Sequence, residues 1–237
     1  EKYDVVSNGR LVKTVSLLDG RKLTQWSESR AIPTYSVAIG VAEFRIEHQP
    51  VTAEVPLVWY SYPQDFEAAD QKFSRTALAL SYFSRAIGPY PYEKLAQVQA
   101  NIGSGAMENA SAIFYDEALF RGTPLHEDPV PHEIAHQWFG NAVTVADWDH
   151  LWLSEGFATY FEALFYEYLH GPEALKQAMA GYAKKIREYE PARSAPVVDP
   201  AETDLMRKLS VLTYEKGAWV LHMLRGMLGD EPFFRGI

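Results

Sequence analysis

Apolar positions in residues 1–62 follow strand periods. Tyr35, Val37, Ile39 and Val41 alternate with other residues, as in a half-buried strand. Val55 to Tyr60 is an apolar run closed by Pro63, and Asn8-Gly9 and Asp19-Gly20 are hairpin-turn signals. From residue 64 the period becomes helical. Phe66, Ala69, Phe73, Thr76, Leu80, Phe83 and Ile87 fall three or four apart, predicting one amphipathic helix stopped at Gly88-Pro89. Ala96, Val98, Ala100 and Ile102 then alternate with Gln97, Gln99 and Asn101, predicting a strand with one buried and one wet face. Gly103-Ser104-Gly105 follows, and Ala112 to Tyr115 reads as a further strand.

Residues 121–131, with Pro124, Pro129 and Pro131, read as a loop, and Pro131 suits the first turn of the helix it precedes. That helix is expected to end at Gly140-Asn141. A second is predicted from about Ser154, its N-cap, to Leu169, and a third opens at Gly171-Pro172. A proline-containing loop precedes a helix over about Tyr214 to Leu228, stopped by Gly229, and Asp230-Glu231-Pro232 looks like another helix start. The chain therefore reads as α+β. The period change predicts a β-rich part over 1–62 and a mixed part over 63–237.

Composition narrows the function. At 47% hydrophobic and 14% aromatic, the 237 residues can bury a substantial core. A net charge of −9 without a basic stripe argues against nucleic acid. The densest basic group, Lys184, Lys185 and Arg187, reads as a solvated helix face. No apolar run approaches the ~20 residues of a membrane span. Without cysteine there is neither a disulfide nor a thiolate metal site, so any metal must use histidine and carboxylate. The first residue is not Met and the last helix signal is cut short. Both suggest a fragment, so the compartment stays open.

The candidate chemistry centres on His132-Glu133-Ile134-Ala135-His136. Histidines four apart on a helix share one face and can reach one ion. Glu133, beside them, can take a proton from a metal-activated water, the H-E-x-x-H pattern of zinc hydrolases. Such sites take three protein ligands, leaving one open position. Glu155, eighteen residues beyond His136 at the start of an expected antiparallel helix, is the candidate third ligand. Glu162, two turns on, either hydrogen-bonds a ligand histidine or is a solvated carboxylate. His126, His150, Asp147 and Asp149 read as loop residues.

Gly105-Ala106-Met107-Glu108-Asn109, the H-E-x-x-H motif, Glu155 and Tyr214-Glu215-Lys216-Gly217-Ala218 together resemble the aminopeptidase N family of zinc aminopeptidases, which includes leukotriene hydrolase. The Gly-Ala-Met-Glu-Asn stretch narrows the likeness from metalloproteases to aminopeptidases. The resemblance implies a thermolysin-like catalytic domain over 63–237, preceded by the end of a β domain and truncated before a C-terminal helical domain. It implies one zinc ion on His132, His136 and Glu155, with Glu133 as general base. Tyr214 would donate to the oxyanion, and residues 105–109 would bind a peptide whose free α-amine meets Glu108. A carboxylate at a strand edge suits an ammonium group, and the glycines leave backbone open for a substrate strand to pair. Two features depart from the family. Ala110-Ser111 replaces the usual aromatic residue, and a second amine-binding residue lies upstream in the family. Rival expectations are an epoxide hydrolase of the leukotriene type, a thermolysin-like endopeptidase and a non-catalytic binding module.

Overall fold

A computed structural model describes residues 2–103, 105–121 and 129–237. Ser104, Pro124 and His126 lie outside the described residues. The N-terminal segment forms two small antiparallel sheets. β1 (Asp4–Ser7) pairs with β4 (Ile39–Ala42), and β2 (Arg10–Ser16) pairs with β3 (Lys22–Ser27). Asp19-Gly20 does turn the β2–β3 hairpin, with Gly20 at φ +81. Asn8-Gly9 turns no hairpin. It carries the chain from one small sheet to the other, and the buried Asn8 donates through Nδ2 to the carbonyls of Ser36 and Ala110.

The alternation at 35–41 has the expected period but the opposite face. Val37, Ile39 and Val41 are exposed, while Gly40 packs against Val6 and Phe114, where a larger side chain would collide. Tyr35 leaves the strand altogether and sits on a 3-10 turn, Thr34–Ser36.

The main sheet has the order β5-β6-β7-β9-β8. β5 (Arg45–Thr52) and β6 (Val55–Ser61) form an antiparallel hairpin, and β6 runs parallel to β7 (Leu95–Ala100). β7 is parallel to β9 (Ala112–Asp116), and the short β8 (Ala106–Met107) closes the edge antiparallel to β9. The sheet thus crosses position 62/63, where the period changes. β7 is buried on both faces, against expectation, because helices cover one side and the N-terminal strands the other. Its two glutamines are hydrogen-bonded internally, although Gln97 Oε1 is buried without a partner among the described residues. Gln97 donates to Thr76 Oγ1, and Gln99 accepts from the Tyr62 N–H and donates to Asp65. Along β9, Ile113 and Tyr115 face the helical core, and Ala112 and Phe114 face the N-terminal strands.

The single helix expected over 66–87 is two, α1 (Phe66–Phe73) and α2 (Thr76–Ala86). At the break the Ser74 hydroxyl and N–H both turn back to the Gln71 carbonyl. α3 (Val130–Ala135) has Pro131 in its first turn and ends before His136, four residues short of Gly140. α4 (Trp152–His170) starts two residues early, so Ser154 lies inside it and caps nothing. α5 (Pro172–Tyr189), the short α6 (Leu205–Lys208), α7 (Glu215–Leu228) and α8 (Asp230–Gly236) complete the helical layer. Among the described residues no helix is long and apolar enough to cross a membrane.

Candidate active site

α3 and α4 pack side by side, and their contact brings together the three residues expected to share an ion. One ligand atom each of His132, His136 and Glu155 lies within 4.8 Å of the others. Glu155 Oε2 is 3.3 Å from His132 Nε2 and 3.2 Å from His136 Nε2. Among the described residues no other His, Cys, Asp or Glu trio is so arranged. His150, Asp147 and Asp149 stay apart. Asp147 accepts from the Asp149 N–H, and Asp149 pairs with Lys208.

The imidazoles are aimed by what holds their other nitrogens. Glu162 Oε2 stands 3.4 Å from His132 Nδ1, within ion-pair distance of the imidazole. His136 Nδ1 lies 2.9 Å from the Phe139 carbonyl and 3.1 Å from Ser154 Oγ. Both Nε2 atoms therefore face Glu155. Two imidazole nitrogens and a carboxylate oxygen with secured outer partners form a donor set that fits zinc. Burial opposes charge on the histidines, yet Glu155 overrides it. His132 is held well above its ordinary pKa and His136 is pushed up to about 9. Burial likewise opposes charge on Glu155, but the two imidazoles hold it well below the carboxylate range.

Glu133 sits on the flank of this trio, 7% exposed. Burial, helped by the Glu108 and Glu155 carboxylates and resisted by the histidines, pushes it up to about 7. Tyr214 is the residue before α7, and its ring stacks on His132 with centroids 6.0 Å apart and planes 16° apart. Burial, then Glu155, Glu133 and Glu108, push its hydroxyl far up, so it remains a protonated donor. α7 brings Tyr214 close because α4 and α7 touch through glycines. A Cβ on Gly156 would fall 2.9 Å from the Gly217 Cα and 3.0 Å from the Thr213 carbonyl oxygen.

All these groups open on one cavity of about 870 Å³. Gly105, Ala106, Met107 and Glu108 line one wall, from the sheet's edge strand β8 and the residues on either side of it. Asn109 is buried in the loop that follows. Sequence reasoning missed three features of the cavity. Tyr35 lines it seventy residues upstream of the nearest motif, donates to the Gly140 carbonyl at 3.3 Å and meets Trp148 edge-on at 5.3 Å. Burial and then Glu108 push its hydroxyl upward. Lys185, expected on a solvated face, lines the far end and pairs with Glu215 at 2.8 Å. Only a fold could reveal Tyr35, whereas Glu215 stood within a quoted motif.

A helix-covered mixed sheet whose edge strand faces an H-E-x-x-H trio defines a gluzincin-type metallopeptidase. The chain belongs to peptidase family M1, whose domain matches residues 72–237. Endoplasmic reticulum aminopeptidase 1 of Rattus norvegicus is 32% identical over 251 residues, aligned with 100% of this chain and 27% of its own length. Glutamyl aminopeptidase of Mus musculus is 30% identical, again over 100% of this chain and 27% of its own length. The M1 zinc metallopeptidase of Deinococcus radiodurans superposes with a TM-score of 0.77 at 26% identity, covering 99% of this chain and 52% of that structure. The chain thus spans about a quarter of the length of these two aminopeptidases.

Proposed function

We propose that this chain carries the catalytic centre of a zinc aminopeptidase that removes the N-terminal residue from peptides. The observation that carries the reading is the position of Glu108. Its carboxylate shares one cavity with Glu133 and the His132–His136–Glu155 trio. An acid group at that wall suits a free α-ammonium, and so selects chain ends over internal bonds.

His132, His136 and Glu155 would hold one zinc ion. When bound there, zinc supplies Lewis acidity, acidifying water and polarising a carbonyl. Glu108 accepts hydrogen bonds from the substrate ammonium and fixes the first residue against β8. Residues 105–107 offer the sheet edge to the substrate backbone. Glu133, buried on the flank of the trio, takes the proton from the attacking water. The Tyr214 hydroxyl donates to the oxyanion as the carbonyl carbon becomes tetrahedral. The peptide C–N bond then breaks, and Glu133 returns the proton to the leaving nitrogen. The products are a free amino acid and a peptide one residue shorter.

The sheet pairing supports a domain boundary near residues 43–44, where β4 ends and the hairpin of the main sheet begins. Zinc stoichiometry by elemental analysis, with turnover of leucyl-p-nitroanilide before and after chelation, tests the reading. One zinc per chain and activity restored by zinc are expected. Zinc-independent turnover would overturn it.

A further inference from the structure

The loop that carries Glu108 ends at Ser111, where it reverses into β9. Ser111 is fully buried and has φ +62, in the left-handed region that disfavours a Cβ. Contacts on every polar atom hold it there. Its N–H donates to Gln137 Oε1 at 2.8 Å. Its hydroxyl accepts from the Gly9 N–H at 2.7 Å and donates to Glu28 Oε2 at 3.3 Å. Its carbonyl accepts from Lys94 Nζ at 3.1 Å and from the Ala96 N–H at 3.0 Å. Lys94, itself buried, is anchored in turn on the Ser7 carbonyl at 2.8 Å.

Gln137 links the two ends of the loop. Besides accepting from Ser111, it donates through Nε2 to the Glu108 carbonyl at 3.0 Å, and Asn141 donates to the same oxygen at 2.6 Å. Gln137 follows the metal-site residue His136 directly. The loop is therefore tied on one side to the turn after α3 and on the other to residues 7–9 and 28 of the N-terminal strands. Asn8, bonded to the Ala110 carbonyl at 2.6 Å, completes the second tie.

We infer that Ser111 is a positioning residue for amine recognition: clamped by Gly9, Lys94 and Gln137, it sets where the Glu108 carboxylate stands relative to the metal ligands. The inference rests on the reading of Glu108 given above. It assigns a task to the N-terminal strands, which supply the outer half of the clamp and no group to the chemistry itself. A plain structural role for Ser111 makes a different forecast: Ser111→Gly relieves the positive φ but loses the Gly9 and Glu28 bonds, so it would move Tm while leaving KM and the preference for the free amine at wild-type values.

The test compares Ser111→Ala, Ser111→Gly and Glu108→Ala in the whole protein, using leucyl-p-nitroanilide and its N-acetyl derivative, with zinc content and Tm measured alongside. Ser111→Ala should raise KM for the free amine about tenfold, with kcat changed by less than about threefold and zinc retained. Ser111→Gly should raise KM by a similar factor while its Tm stays at or above that of Ser111→Ala. Preference for the free amine over the blocked substrate should fall in parallel. Wild-type KM in Ser111→Gly overturns the inference, whatever Ser111→Ala does. If Glu108→Ala alone raises KM, the clamp is refuted and the amine reading stands. If Glu108→Ala leaves KM unchanged, the amine reading falls and the clamp falls with it.

Discussion

Gly156 and Gly217 meet back to back where α4 crosses α7, with a Cβ on Gly156 only 2.9 Å from the Gly217 Cα. Gly156 adjoins Glu155 and Gly217 lies three residues after Tyr214, so this one contact sets the metal-site carboxylate against the tyrosine hydroxyl. A methyl group at Gly156 must push the helices apart, because backbone cannot swing aside. Gly156→Ala should destabilise the fold by about 1–3 kcal/mol, the usual cost of overpacking. It should also lower kcat, because Tyr214 retreats. Thermal denaturation and steady-state kinetics check both, and a variant with wild-type Tm and kcat would show that the helices do not need this close approach.

Glu133→Gln removes the base and keeps the shape. Zinc content should stay at the wild-type level while kcat drops about 10²–10⁴-fold, the range for losing a general base. Elemental analysis beside turnover separates the two effects. Retained turnover would put the base elsewhere.

Glu162 stands 3.4 Å from His132 Nδ1, so on the proposed ligand set it would act on zinc through that imidazole. Glu162→Ala should weaken zinc binding about 10–100-fold, the range for losing an outer partner of a ligand histidine. Competition against a chelator of known affinity measures it. An unchanged affinity would make the contact incidental.

Much of this centre was legible in the chain because its parts are close in sequence and each has a spacing with a physical meaning. The histidine pair obeys the helical repeat, and Glu155 follows after one turn of chain. Other readings failed where tertiary packing decides. Gln97 and Gln99 looked wet because an alternating strand usually has a wet face, and the N-terminal strands cover that face here. Val37, Ile39 and Val41 looked buried because they are apolar, but the close approach of Gly40 to Phe114 turns them outward. Ser154 looked like a helix cap, yet its hydroxyl serves His136. Tyr35 carried no local sign of its place in the cavity, since only the folding of the N-terminal segment over Gly140 brings it there.

Lys94 makes stability depend on pH. Burial, opposed by Glu28 and Glu93, pushes its ammonium from 10.5 down to about 7. Between those values the unfolded chain holds the proton and the folded chain has released it, so unfolding takes up a proton. Stability should therefore rise with pH above about 7, by up to about 1.4 kcal/mol per unit, and lose this dependence below it. Urea midpoints of the native protein and Lys94→Met, measured from pH 6 to 9, should diverge above pH 7. Parallel curves would mean that Lys94 stays charged in the fold.

The most direct measurement compares hydrolysis of a short peptide with a free N-terminus against the same peptide N-acetylated, for the zinc-loaded protein and for Glu108→Ala. The expected result is release of the first residue from the free peptide only, with most of that preference gone in Glu108→Ala. Equal cleavage of both peptides by the native protein, or internal cleavage of the blocked one, would contradict an aminopeptidase that recognises the chain end through Glu108.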